Sequence, residues 1–139
     1  MKRPLHILIA DRNPHVREFI KREAAADGHR IDAAENGREL LRWIYRDETI
    51  DLIILDPDLP DAQESSMLAR LQDRLPCIPV VFHAFLSDDP NRLNIINAVA
   101  YIEKGARSIE QIKTIIAEIQ ERRTAAGTDR SPKRKEPDG

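Results

Sequence analysis

Residues 51–61 read DLIILDPDLPD, an apolar run that ends in the carboxylate of Asp56 and passes directly into a proline-containing turn. Its apolar residues stand side by side instead of alternating with polar ones, which is typical of a central parallel strand covered on both faces. Ligands of such sheets bind in the crevice beside the C-terminal ends of the strands. The stretch therefore predicts that a buried strand delivers Asp56 to a binding crevice.

Two other apolar runs also end in a charged residue. Residues 5–10 read LHILIA and precede Asp11, and residues 100–103 read AYIE and precede Lys104. Because the C-terminal ends of parallel strands open into one crevice, Asp11, Asp56 and Lys104 are expected to meet there. Two acids and a lysine in one crevice are the outline of a reaction site.

Strand and helix signals alternate along the whole chain. Strands are predicted at about residues 5–10, 30–34, 50–56, 78–82 and 100–103, and helices at about 14–27, 38–44, 64–74, 89–99 and 108–123. This alternation predicts a parallel sheet with helices on both faces and right-handed crossovers. The predicted fold is α/β: a flavodoxin-like, doubly wound sheet of five strands in the order 2-1-3-4-5, with five helices.

Local signals mark the first two helices. Asn13 is a predicted N-cap with Pro14 at the first helical position, and Gly28 is predicted to end that helix. The pair Asn36-Gly37 predicts a turn before the second helix. Val99 is predicted to lie on one side of the fourth helix.

The last helix has a start signal and an apolar stripe. Ser108 and Gln111 match a capping box, in which Ser108 is the cap and the Gln111 side chain reaches back. The stripe at helical spacing consists of Ile109, Ile112, Ile116 and Ile119. Ile115 lies off this stripe, so it is expected to contribute to a partner or homodimer surface.

Composition limits the classes of function. The chain has 139 residues, which suits one domain, and its formal net charge of -2 argues against a dedicated nucleic-acid binder. Its single cysteine excludes an internal disulfide, and no apolar stretch is long enough to be a signal peptide or a membrane span. We expect a cytoplasmic protein with one domain at residues 1–123 and a disordered tail at residues 124–139.

Asp11, Asp56 and Lys104, in this order and with the Leu59-Pro60 turn, resemble the receiver domain of two-component response regulators over roughly residues 4–123. The resemblance implies that a histidine kinase or a phosphotransfer protein is the partner and that Asp56 is the phosphoacceptor. It implies that Lys104 pairs with the phosphoryl oxygens.

The resemblance also implies a metal site and a switch residue. Mg²⁺ is expected on Asp11, Asp56 and the backbone carbonyl of Asp58. Tyr101 matches the aromatic residue that changes rotamer on activation, although a ring near a sheet edge is often simple packing.

Three positions depart from the family pattern, one of which is Gly105, where receivers usually have a proline after the lysine. Arg12 stands where receivers usually carry a second acid. At the end of the fourth strand, the family's Thr or Ser is replaced by Ala84, or by His83 if the register shifts by one residue, and neither supplies a hydroxyl.

The presence of Arg12 in place of the second acid changes the expected binding of Mg²⁺. Two acids facing Arg12 and Lys104 have a formal charge near zero, so the demand for Mg²⁺ is expected to be weak or absent. Two orientations remain open for Arg12. Its guanidinium lies where the metal would and donates a fork of hydrogen bonds to Asp56, or it points into solvent and leaves a weak two-acid site.

The predicted function is that of a single-domain response regulator, not an enzyme. Asp56 is phosphorylated, and the face made by the fourth helix, fifth strand and fifth helix then binds an unknown output protein. The alternative is a pseudo-receiver, a binding module of the same fold that no longer depends on phosphorylation. A flavodoxin-like enzyme is disfavoured, because the loop after the first strand has an acid where a phosphate-binding loop needs Ser, Thr and Gly.

Overall fold

The computed structural model describes residues 3–46, 48–60, 70, 78–85 and 98–129. Within these ranges, five parallel strands form one sheet in the order β2-β1-β3-β4-β5, which confirms the predicted fold. The strands are β1 (His6–Ala10), β2 (Arg30–Ala34), β3 (Leu52–Leu55), β4 (Val80–Ala84) and β5 (Ala98–Glu103). The helices are α1 (Pro14–Ala26), α2 (Gly37–Ile44) and α3 (Ser108–Asp129), the last of which is the predicted fifth helix.

Two predicted helices fall largely outside the described residues. The predicted helix at 64–74 is described only at Arg70, which is helical. Of the predicted helix at 89–99, the described residues 98 and 99 belong to β5, so the prediction for Val99 is wrong. Ala98 pairs with Val80 of β4, and this added pairing begins β5 two residues earlier than the apolar pattern indicates.

The strands alternate their side chains between two buried layers. One layer contains Leu8, Ile53, Leu55 and Phe82 from the sheet, and α2 covers it with Leu40 and Ile44. The other contains Ile9, Ile54, Val81 and Ile102, and it packs against Ile20 of α1 and the isoleucine stripe of α3. Burial of this apolar surface is the main force that holds the sheet between its helices.

The predicted stripe of α3 is confirmed. Ile112, Ile116 and Ile119 are buried, and Ile109 packs partly buried against the same layer. Ile115 also packs partly buried against this layer, so the contact of α3 with the sheet is wider than a narrow stripe. The expected contribution of Ile115 to a partner or homodimer surface stays a prediction.

The first two helices begin at asparagine caps. The Asn13 side chain accepts a hydrogen bond from the His15 N–H, and Pro14 is the first helical residue, as predicted. Asn36 accepts from the Glu39 N–H in the same way. The Asn36-Gly37 pair is therefore a cap followed by the first residue of α2, where the sequence predicted a separate turn.

The predicted capping box of the last helix is wrong. Ser108 is already helical, and its hydroxyl donates to the Gly105 carbonyl at 3.0 Å. The carbonyl that accepts the Gln111 N–H belongs to Arg107. The helix begins one residue earlier than the motif suggests, because Ser108 is itself the first helical residue and its hydroxyl donates to the turn at Gly105.

The helix also ends later than predicted. It continues to Asp129, so residues 124–129 are helical where a disordered tail was expected from residue 124. Extending a formed helix costs little, and Ala125 and Ala126 have the highest helix propensity. The N-terminal segment also contacts this region, because the Arg3 N–H donates to the Thr124 hydroxyl at 3.3 Å.

In the described part of the chain, none of the helices is both long enough and apolar enough to span a bilayer.

Gly28 provides a test of the turn between α1 and β2. Its φ is +95°, a conformation that side-chain-bearing residues rarely adopt, while a Cβ at this position would meet nothing within 4 Å. We expect Gly28→Ala to lower the free energy of unfolding by about 1–2 kcal/mol through backbone strain alone, measured by urea denaturation. Gly105→Ala is the matched control, because that site is equally open and its φ is not positive. Equal losses in both variants would contradict the explanation.

Candidate functional site

The centre of the site is an ammonium group held between two buried carboxylates. Lys104 Nζ lies 3.2 Å from Asp11 Oδ2 and 3.4 Å from Asp56 Oδ2. The Asp11 and Asp56 side chains are 2% and 1% exposed, and that of Lys104 is 9% exposed. The structure thus brings together the three strand-end residues that the sequence predicted to meet. The register of the sheet explains this, because Ala10 and Leu55, the residues before the two acids, are direct partners.

Backbone N–H groups orient the two carboxylates. The Asn13 N–H donates to Asp11 Oδ1, and the Asp58 N–H donates to Asp56 Oδ1, each at 2.9 Å. Burial raises the pKa of Asp11, while the Asn13 N–H and the Lys104 ammonium act in the opposite direction. Asp56 therefore keeps one oxygen on a backbone donor and offers the other to Lys104, whereas both oxygens of Asp11 lie within reach of the Lys104 ammonium.

Arg12 turns toward the acids. Its Nε lies 3.5 Å from Asp56 Oδ2, and its Nη2 lies 3.7 Å from Asp58 Oδ2. Of the two orientations left open by the sequence, the structure has the inward one, but the predicted fork on Asp56 is not formed, because the guanidinium bridges two different carboxylates. Its side chain is 46% exposed, so each contact is weak by itself.

His83 and Ala84 end β4 with their side chains on opposite faces of the sheet. His83 is 3% exposed, and the alternation of β4 places it on the same face as Val81. Ala84 contributes its carbonyl, which accepts the Lys104 N–H at 2.7 Å. Neither residue supplies a hydroxyl to the carboxylates.

Both ring nitrogens of His83 lack a hydrogen-bond partner among the described residues. Burial, and next the Lys104 ammonium, lower the pKa of His83 from 6.5 to about 4, against the opposing effect of Asp56. An unsatisfied buried polar group costs about 1–3 kcal/mol. The sequence signal for this feature is one polar residue inside the apolar run 80–85.

Tyr101 lies away from the carboxylates. Its ring stacks on Phe82 with 5.5 Å between centroids and is 54% exposed. Since Phe82 belongs to the layer on the other face of the sheet, Tyr101 does not share a face with His83. The ring is thus placed to contact a partner and not to contact Lys104 in this conformation.

The described side chains do not fit a divalent ion well. Across the described ranges, no group of three or more His, Cys, Asp or Glu side chains is arranged to hold a metal. The acids named for Mg²⁺, Asp11 and Asp56, are both engaged by Lys104. The guanidinium of Arg12 approaches Asp56 from the side where the second acid was expected.

Comparison with known proteins identifies the fold and the family. The family model of the response regulator receiver domain matches residues 7–117, which is more than half of the chain. A receiver domain protein from Methanospirillum hungatei JF-1, described as CheY-like, is 22% identical with a TM-score of 0.73, covering 88% of this chain and 99% of that one. The response regulator TrrA from Thermotoga maritima, solved in complex with Mg²⁺-BeF, is 25% identical with a TM-score of 0.68, covering 86% and 99%.

One curated relative is a much longer protein. The transcriptional regulatory protein GlrR of Escherichia coli K12 is 29% identical over 79 residues. The match covers 57% of this chain and 18% of GlrR. The likeness therefore concerns only a small part of that regulator.

The pKa of His83 predicts a dependence of stability on pH. A folded-state pKa of about 4 against an ordinary 6.5 means that the unfolded chain takes up the proton first on acidification. Between these pH values we expect His83 to lower the free energy of unfolding by about 2–3 kcal/mol. Above pH 6.5 this loss disappears. Asp11, whose pKa is raised, changes stability in the opposite direction on acidification.

The variant His83→Leu separates these effects. Urea denaturation should show that the free energy of unfolding of the variant, relative to that of the wild type, is higher at about pH 4.5 than at about pH 7.5. Asp11 and His29, whose pKa is also shifted, occur in both proteins, so their contributions cancel in the difference. A difference that stays constant with pH would mean that His83 is not titrating in this range.

Proposed function

The chain belongs to the response regulator receiver domain family, and we propose that Asp56 accepts a phosphoryl group from a histidine kinase or a phosphotransfer protein. Receiver domains are signalling modules. The observation that carries the proposal is the position of Asp56, which follows β3 directly, with one oxygen on the Asp58 N–H and the other 3.4 Å from Lys104 Nζ. In this proposal the Asp56 carboxylate is the nucleophile, and the Asp58 N–H and Lys104 orient its two oxygens.

The transfer is a displacement at phosphorus. An Asp56 oxygen forms the new O–P bond while the N–P bond to the donor's imidazole breaks. The electron pair of the broken bond stays on the imidazole, which leaves as a neutral ring because its other nitrogen carries a proton. The product is an acyl phosphate, whose oxygens bring added negative charge next to Asp11.

Two cations of this chain are placed to balance that charge. Lys104 is held near Asp56 by its contact with Asp11, and Arg12 reaches Asp56 from the exposed side. Electrostatic stabilisation of transferring oxygens by preorganised cations is the main contribution that a protein makes to phosphoryl transfer. We assign Lys104 to the phosphoryl oxygens from within the site and Arg12 to the same oxygens from the solvent side.

We propose that Mg²⁺ binds this receiver weakly or not at all. Receiver domains typically bind Mg²⁺ in an acidic pocket, and TrrA was solved with Mg²⁺-BeF. Here the two buried acids face two cations, and the carboxylate of Asp58 at the rim faces Arg12 as well. The roles of Asp11, Asp56 and the Asp58 carbonyl as metal ligands therefore stay predictions from the family.

Output is proposed to occur by protein contact through the face that includes β5 and α3. Val99 and Tyr101 of β5 are 42% and 54% exposed, an apolar pair at the edge of the sheet. The fourth helix of the predicted face lies outside the described residues. A homodimer through the same face stays a prediction.

A second candidate is a pseudo-receiver that does not use phosphorylation. It is favoured by the guanidinium of Arg12, which lies across the exposed side of Asp56, and by the missing hydroxyl at residues 83 and 84. In this case the bridge from Arg12 to Asp56 would hold one conformation of the module permanently. The two candidates differ in whether Asp56 can be labelled.

Mass spectrometry after treatment with acetyl phosphate decides between them. We expect one added phosphoryl group on the wild type and none on Asp56→Asn, because among the described carboxylates only that of Asp56 lies beside both Lys104 and Arg12. Asp58→Asn is the control, since it removes a neighbouring acid and keeps the backbone N–H that orients Asp56. An unlabelled wild type would support the pseudo-receiver, and labelling of Asp56→Asn would refute the assignment.

The role of Arg12 is tested by Arg12→Asp. The change replaces a cation 3.5 Å from Asp56 by an acid, so Mg²⁺ affinity should rise by about tenfold or more, as measured by calorimetry. Arg12→Ala, which removes the cation without adding a ligand, should give an intermediate affinity. If the wild type already binds Mg²⁺ at sub-millimolar concentration, Arg12 does not exclude the metal.

A further inference from the structure

The peptide that joins Asp11 to Arg12 is contacted at both of its polar groups. Its carbonyl, which belongs to Asp11, accepts a hydrogen bond from Arg17 Nη1 at 2.7 Å. Its N–H, which belongs to Arg12, donates toward Asp56 Oδ2 at 3.5 Å. The carbonyl and the N–H of a planar trans peptide point in opposite directions, so a group that fixes the carbonyl also fixes the direction of the N–H. Arg17 is therefore linked to Asp56 through one rigid peptide.

The place of Arg17 on α1 explains how it reaches this carbonyl. Its backbone N–H donates to the Asn13 carbonyl at 3.1 Å, four residues earlier in the chain. Side chains of a helix tilt toward its N-terminus, so the Arg17 side chain is directed back over the loop between β1 and α1. The Asn13 cap and Pro14 fix where the helix begins, and they thereby fix the distance from Arg17 to Asp11.

The Asp11 carbonyl depends on this guanidinium. Among the described residues, no backbone N–H donates to it. A hydrogen bond from a charged donor is about twice as strong as one between neutral groups. It also polarises the peptide, because hydrogen bonds in a chain strengthen one another. The Arg12 N–H is therefore both aimed by Arg17 and made a better donor.

The atom affected by this arrangement is Asp56 Oδ2. Three groups converge on it: the Arg12 N–H at 3.5 Å, Arg12 Nε at 3.5 Å and Lys104 Nζ at 3.4 Å. Two of the three belong to Arg12, so a rotation of the peptide before Arg12 would displace both. The Arg12 side chain is 46% exposed, whereas its backbone N–H is held in place by the bond from Arg17 to the carbonyl of the same peptide.

We propose that Arg17 is a positioning residue for the phosphorylation of Asp56. It acts through the peptide between Asp11 and Arg12, whose N–H it holds toward the oxygen where negative charge has to be balanced during transfer. The effect of Arg17 on the rate rests on the proposed function of Asp56. Its effect on the direction of the Arg12 N–H does not.

The direction of the N–H is tested by the Arg12 amide signal in two-dimensional NMR. Arg17→Met removes the donor and keeps a long side chain, so the Arg12 amide proton should move upfield as its contact with the carboxylate lengthens. Arg17→Lys keeps a cationic donor and should return the signal toward its wild-type position. Arg22→Met is the control, because Arg22 is an exposed cation of α1 that lies over the Phe19 ring. An Arg12 signal that is unchanged in Arg17→Met would overturn the proposal.

The rate of labelling by acetyl phosphate tests the consequence for transfer. We expect Arg17→Met to slow the labelling of Asp56 about tenfold, Arg17→Lys to recover most of the rate, and Arg22→Met to equal the wild type. Urea denaturation of each variant separates slow labelling from partial unfolding.

The two readouts keep this inference apart from the proposed function. A wild type that is not labelled refutes the proposed function and with it a role in phosphorylation, while the NMR signal still decides whether Arg17 aims the Arg12 N–H. A labelled wild type with an equal rate in Arg17→Met would overturn the positioning role alone. An Arg17→Lys variant as slow as Arg17→Met would also overturn it, because the proposal requires only a cationic donor at the Asp11 carbonyl.

Discussion

The arrangement of the site depends on the ion contact of Lys104 with two buried carboxylates. The Asp11 and Asp56 side chains are 2% and 1% exposed, so the two carboxylates have lost most of their hydration and repel each other. A cation between them is needed to compensate for both effects. Lys104 satisfies this requirement from the end of β5, and its own N–H is anchored on the Ala84 carbonyl. One contact therefore joins the C-terminal ends of β1, β3 and β5 and sets the geometry around Asp56.

Arg12 changes what that geometry is suited to do. In a pocket with more acids than cations, a divalent ion supplies the missing positive charge. In this chain a guanidinium already approaches Asp56 to 3.5 Å and Asp58 to 3.7 Å. Unlike a metal ion, this guanidinium belongs to the chain itself and its side chain is 46% exposed, so the charge on Asp56 is balanced from the solvent side.

His83 has a cost in stability that the packing of the sheet does not require. Its neighbours in the same layer are apolar, and its nitrogens have no partner among the residues that the structure describes. Proteins tolerate such unsatisfied groups chiefly where they serve binding or chemistry.

The sequence by itself determined the order of the strands, the asparagine cap of α1 and the convergence of Asp11, Asp56 and Lys104. These follow from periodicity, from local hydrogen bonding and from the rule that parallel strand ends share one edge, all of which are written in neighbouring residues. Only the tertiary structure decided that Arg12 bridges Asp56 and Asp58, that His83 is buried without a partner, and that Ile115 packs on the core. Each of these depends on which residues distant along the chain come into contact, and a local pattern does not contain that information.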